Sequence, residues 1–153
     1  MTPLARWLVG GIAAIILLAA GLAPMIAGDE PAMPDPDSAT LVARGKGVYT
    51  QHCARCHGAN LEGEADWRRR LPNGRPRAPP HDTIGHTWHH SDKQLFDMVK
   101  NGTAGLMPGY ETDMPAYKET LSDGDIWAVL SFIESTWPAD IRGRQQSISR
   151  RPP

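Results

Sequence analysis

Only two cysteines occur in this chain of 153 residues, three positions apart, and there is no second pair. That scarcity excludes a multiply cross-linked scaffold and a zinc site assembled from two cysteine pairs. An excess of charge of one sign is missing as well. Seventeen acidic against sixteen basic residues leave a net charge of −1, with no basic stripe to mark a nucleic-acid binder. No segment alternates apolar and polar residues strongly enough to read as a strand, and no internal repeat is present. A phosphate-cradling glycine motif and a nucleophile–base constellation are absent too, so nothing reads as an enzyme active site. What remains is an all-α chain, rich in proline (14) and glycine (15).

The first strong feature is an uncharged run of 21 residues from Trp7 to Ala27. A spanning helix needs about 20 apolar residues, so this run is long enough to be one. Arg6 precedes it and "GDE" follows, which places the N-terminus in the cytoplasm and the rest outside, in the periplasm of a Gram-negative cell. A cleaved signal peptide would carry a shorter core of about 7–15 residues and end at a small-x-small site. Here Met25 stands two residues before Ala27, and Pro24 follows Ala23. The chain therefore divides into an anchor or signal (1–28), a Pro- and Asp-rich extended tether (29–37), a folded domain (38–138) and a flexible tail (139–153).

Within the domain, "SATLVARGKGVYTQH" predicts a helix. Leu41, Val42, Gly45, Val48 and Tyr49 recur at three- and four-residue steps, and Ser38 or Thr40 can cap it. Gly45 on the inner face would let another helix approach closely. A second helix opens at Ser91 with the capping-box pattern "SDKQ" and stops at Gly102. A third, "LSDGDIWAVLSFIES", has Ser122 as N-cap, Asp123 and Asp125 in its first turn, and Ile126, Val129, Leu130 and Ile133 on one face. Leu61 to Pro80 and "LMPGYETDMPAY" read as loops. So much loop buries little apolar surface, and a small domain of this kind needs a filler in its core.

The two cysteines suggest what that filler is. They lie in "HCARCHGAN" as Cys53 and Cys56, with His57 directly behind, in the C-x-x-C-H pattern of covalent haem attachment. Thiols one helical turn apart can each join one of the two vinyl groups on a porphyrin edge, which brings His57 to the iron. A redox dithiol would want a βαβ context, and a zinc site would want further paired ligands. A disulfide here would close a very short loop and stabilise little. Export favours haem, because this attachment takes place outside the cytoplasm.

Together, "GKGVYTQHCARCHG" (Gly45 to Gly58) and "DMPAYKETLSDGDIWAVLSFI" resemble the class I c-type cytochromes, over roughly Ser38 to Trp137. The resemblance implies an all-α cytochrome c fold wrapped around one covalently attached haem c. Its first and last helices would cross with Gly45 and Tyr49 against Ala128 to Phe132. It also implies a methionine as the second axial ligand beside His57. Met107 and Met114 both precede proline; the family's ligand lies shortly before the last helix, which favours Met114. A proline carbonyl downstream would accept the other ring N–H of His57, from Pro79 or Pro80, with Pro80 taken as the site residue.

Four histidines, His81, His86, His89 and His90, fall in "HDTIGHTWHH". They read as cover for the haem edge or propionates, with Trp88 as an N–H donor; a copper site is the alternative. Arg68, Arg69, Arg70, Arg75 and Arg77 read as a solvated loop, with one or two of them near a propionate. With His57 and Met114 both on iron, no position stays open for a substrate. The expected function is that of a membrane-tethered monohaem carrier moving single electrons between exported or membrane-bound redox proteins, without catalysis of its own. A haem-based gas sensor with a displaceable methionine and a copper-handling protein are the alternatives.

Overall fold

The structure, a computed structural model, describes residues 33–107 and 109–151. The expected anchor or signal lies outside the described residues, and no helix among them is long and apolar enough to cross a membrane. The described residues form six α-helices in order: α1 (Ala39–His52), α2 (Ala54–His57), α3 (Asp92–Asn101), α4 (Thr103–Leu106), α5 (Asp123–Ser135) and α6 (Ala139–Ser149). A 3-10 turn spans Thr87–His89, and no strand occurs among the described residues.

The caps are the ones that the sequence predicts. Ser38 accepts from Leu41 N, and Ser91 and Ser122 each close a capping box, with Gln94 and Asp125 as partners. Arg44 on α1 ties itself to the start of α5, its Nε donating to Asp125 Oδ1 at 2.9 Å.

The helix α1 crosses α5 at Gly45. A Cβ there would lie 1.9 Å from the carbonyl oxygen of Ala128, so the two backbones touch directly. Tyr49, one turn on, packs its ring 5.4 Å from that of Phe132. Around this crossing sits one apolar cluster of Tyr49, Leu61, Val129, Ile133 and Trp137. A second, of Leu95, Leu121, Ile126 and Leu130, joins α3 to α5, with Phe96 stacked on Trp127 at 4.2 Å. Burial of a side chain of this size contributes about 1.5–3 kcal/mol, so these two clusters carry much of the domain's stability.

Two expected boundaries need correction. The supposed tail from 139 carries α6, in which Gln145 is 1% exposed. Gln145 Nε2 donates to Asp92 Oδ1 and to Ser149 Oγ (3.1 Å), while Asp92 N donates to that same hydroxyl at 2.9 Å. The helix is thus docked through buried polar groups, which a search for apolar periodicity passes over. The end of the tether is docked as well: Asp35 N donates to Ser131 Oγ at 2.9 Å and Arg142 Nη1 to Asp37 Oδ1 at 2.8 Å.

Candidate haem-attachment site

At the end of α1 the chain turns through Cys53 into the single helical turn α2, with Cys56 N donating to Cys53 O at 3.1 Å. Cys53 is half-buried and Cys56 exposed, and both thiols are free. Burial pushes the Cys53 thiol up to about 11, with neighbouring Cys56 adding to the shift. Two tyrosine hydroxyls brace this turn. Tyr49 donates to Gly58 O at 2.7 Å, and Tyr117 donates to His52 O at 2.7 Å. Burial holds the Tyr49 phenol well above its ordinary range, so it stays a donor.

His57 Nδ1 lies 2.8 Å from the carbonyl oxygen of Pro79. That contact fixes the tautomer, with the proton on Nδ1 and Nε2 left as the basic nitrogen. Burial lowers the basicity of the ring, opposed in part by the Pro79 hydrogen bond and the Glu64 charge, and this favours the neutral form a metal needs. Of the two candidate prolines, then, the acceptor is Pro79 rather than Pro80. Pro80 is buried one residue further on, where Gly85 approaches its carbonyl so closely that a Cβ would lie 2.0 Å away. The length of the arginine-rich loop between Leu61 and Pro80 sets this register, and it cannot be counted from the motif alone.

Gly63 and Glu64 hold the Pro79 segment in place, and sequence reasoning missed both. Gly63 has φ +69, and a Cβ there would meet Pro80 N at 2.5 Å and the Pro79 carbonyl carbon at 2.7 Å. Glu64 pairs with Ala78 twice: its N donates to Ala78 O at 2.9 Å, and its Oε2 accepts from Ala78 N at 2.6 Å. Neither residue belongs to a local motif; a glycine a few residues past the C-x-x-C-H turn was the one available hint.

Met114 is half-buried, its backbone N donating to Thr112 Oγ1 at 3.1 Å and its sulfur accepting from Thr103 Oγ1 at 3.7 Å. Met107 is 44% exposed. Trp88 packs against the first core cluster, stacks on His89 at 3.7 Å, and keeps a buried Nε1 with no partner among the described residues. Arg77 Nε is buried and unpartnered in the same way. Two orphaned N–H donors are what a group bearing carboxylates would satisfy. With two free thiols beside a pinned imidazole, they make this donor set fit a covalently held haem.

The four histidines of the second cluster do not gather at one point, although the rings of His86 and His90 meet edge to face at 5.6 Å. His81 stacks on His57 at 4.1 Å, its Nδ1 lies 2.8 Å from Thr87 Oγ1, and its carbonyl accepts from Trp137 Nε1 at 2.7 Å. His86 stacks on Trp67, and His89 on Trp88. Among the described residues no group of three or more His, Cys, Asp or Glu side chains could hold a metal ion.

Comparison with known proteins gives the family. The family model for cytochrome c matches residues 42–137, well over half of the chain. The chain belongs to the cytochrome c family. Over 98 residues it is also 30% identical to the cbb3-type cytochrome c oxidase subunit CcoP of Azospirillum brasilense. That match covers 63% of this chain and 29% of the relative, so the chain spans less than a third of the oxidase subunit's length. No solved structure matches. As a c-type cytochrome, the domain binds covalently attached haem c and works in electron transfer. The matched range stops at Trp137, so α6 lies beyond the part shared with the family model.

Proposed function

We propose that this cytochrome c domain is a monohaem electron carrier, with Cys53 and Cys56 as the thioether positions and His57 and Met114 as the axial ligands. The observation that carries this reading is the 2.8 Å contact between His57 Nδ1 and Pro79 O, which commits one ring nitrogen to the protein and leaves the other for a metal. Bound there, haem supplies a one-electron iron couple, and His/Met ligation suits electron transfer rather than substrate turnover. The chain's own part is to hold and orient. Tyr49 and Tyr117 fix the attachment turn, Gly63 and Glu64 fix the Pro79 carbonyl, and Thr103 and Thr112 hold the Met114 side chain and backbone.

The N-terminal run from Trp7 to Ala27 supports an exported domain held at the membrane, with redox proteins as its donor and acceptor. Likeness to an oxidase subunit supports a respiratory setting. Tethering keeps the carrier at a high effective concentration near membrane-bound partners.

The test begins with acid–organic extraction of the purified protein, followed by its mass. The expected result is haem retained on the chain, with the denatured mass above the polypeptide by one haem. Release of the haem, or a mass showing none, would refute the attachment. A carbon monoxide titration of the ferrous protein then separates carrier from gas sensor. Ready binding by the wild type would favour the sensor.

A further inference from the structure

We propose that Arg75 is a positioning residue: it braces the Met114 loop against the segment that carries Pro79, linking the two through its pairs with Asp113 and Glu111. The inference rests on Met114 as the sulfur ligand.

Arg75 sits on a rigid turn rather than a loose loop. Leu71 N donates to Arg75 O at 2.9 Å, Gly74 N donates to Leu71 O at 2.9 Å, and Arg75 N donates to Asn73 Oδ1 at 3.1 Å. Arg70 Nη1 closes the turn on Gly74 O at 2.7 Å. From this platform Arg75 Nη1 pairs with Asp113 Oδ1, and its Nε lies 3.9 Å from Glu111 Oε2. Arg70 adds a second contact, its guanidinium 5.7 Å from the ring centre of Tyr110. The insertion thus grips residues 110–113 immediately before Met114. Four residues beyond Arg75 stands Pro79, in a segment that the doubled Glu64–Ala78 contact keeps from sliding.

The consequence has two parts, mechanical and electrostatic. Without Arg75, the Met114 loop keeps only the Arg70–Tyr110 contact with that segment, and an external ligand competes more easily with the sulfur. The carboxylates of Glu111 and Asp113 also lose their shared cation. Arg75 is 41% exposed and Asp113 55%, so the effect is that of a solvent-screened pair, about two- to fivefold in an equilibrium constant. Added salt should shrink it.

The test uses the full haem-loaded chain and its Arg75→Gln, Asp113→Asn and doubly substituted variants. Imidazole affinity for the ferric iron, the sulfur-to-iron absorption and the reduction potential are measured at low and high salt. Both single variants should bind imidazole about two- to fivefold more tightly, with the double variant no different from Arg75→Gln. The potential should move in opposite directions, down for Arg75→Gln and up for Asp113→Asn, because one removes positive charge and the other negative. Arg75→Lys should restore part of the effect. Lys93→Ala, which breaks an exposed pair with Asp97 on α3, serves as control and should change nothing at the iron.

Effects no larger than the control's, or effects that add in the double variant, would overturn the brace while leaving the ligand assignment standing. If the sulfur-to-iron absorption survives Met114→Ala, the ligand assignment itself fails and the brace falls with it.

Discussion

Where α1 crosses α5, side chains such as Tyr49, Val129, Leu130 and Ile133 are nearly inaccessible, and the backbones meet at Gly45 and Ala128. Between Leu61 and Pro80 only those two end residues are buried, and the chain is held by backbone amides, the Glu64 carboxylate and arginines. Both regions touch the attachment turn. The crossing meets it through Tyr49, the Leu61–Pro80 loop through Pro79. Apolar contact supplies free energy without direction, while hydrogen bonds supply direction with little net free energy. One half of the molecule therefore sets how stable the domain is, and the other sets where its functional atoms stand.

Substitutions that separate the two halves make this difference measurable. The largest loss of stability is expected from Gly45→Val, because the added atoms have no space against the Ala128 carbonyl and the helices must part. We expect about 3 kcal/mol or more, a fall in melting temperature of at least about 12 °C, read by circular dichroism. An unchanged midpoint would mean the backbones are not in contact.

A smaller, pH-dependent effect is expected at the far end of α5. Glu134 is 4% exposed; burial, then the charge of Asp92 and a hydrogen bond with it, push its carboxyl up to about 8, against the pull of Arg142. Its Oε1 has no partner among the described residues. A group whose folded value is raised keeps its proton in the folded state. Its contribution is therefore complete below the ordinary carboxyl range and is lost as pH rises from 4.5 to about 8. Glu134→Gln should flatten that decline and be more stable than wild type by about 1–2 kcal/mol above pH 8, with little difference at pH 4. Denaturant titrations at the two pH values check this; parallel pH profiles would contradict it.

The smallest stability changes, about 1 kcal/mol or less, are expected in the loops, at Met114→Ala and Met107→Ala. Their effects at the iron should differ sharply. Met114→Ala should abolish the sulfur ligation, open the iron to carbon monoxide and lower the potential, whereas Met107→Ala should leave all three alone. The reverse pattern would exchange the roles of the two methionines.

The same division decides how much could be read from the sequence. Ser38, Ser91 and Ser122 announce their helices, and Gly45 announces the crossing, because capping and periodicity are properties of a few adjacent residues. Pro79 could not be told from Pro80, because the choice depends on how an insertion folds between two distant anchor points. Gly63 and Tyr117 were missed for that reason too. Helix α6 escaped because its apolar residues are few and its buried contact is made by Gln145, in a segment of arginine, glutamine and serine that reads as a tail.

The distance along the chain between the two crossing helices has a consequence for the order of events during folding. Arg44 and Asp125 meet across 81 residues, so the chain must close a long loop before α5 can reach α1. The contacts of the attachment turn with α1 are local, and that turn can form while the rest of the chain is still open. Cys53 packs against the cluster to which α5 contributes Val129 and Ile133, and burial is what keeps its thiol protonated and hard to reach. Before α5 arrives, that thiol is accessible and more readily ionised. With Cys53 as a thioether position, as we propose, covalent loading would be easiest early, and completing the fold would cover the bond.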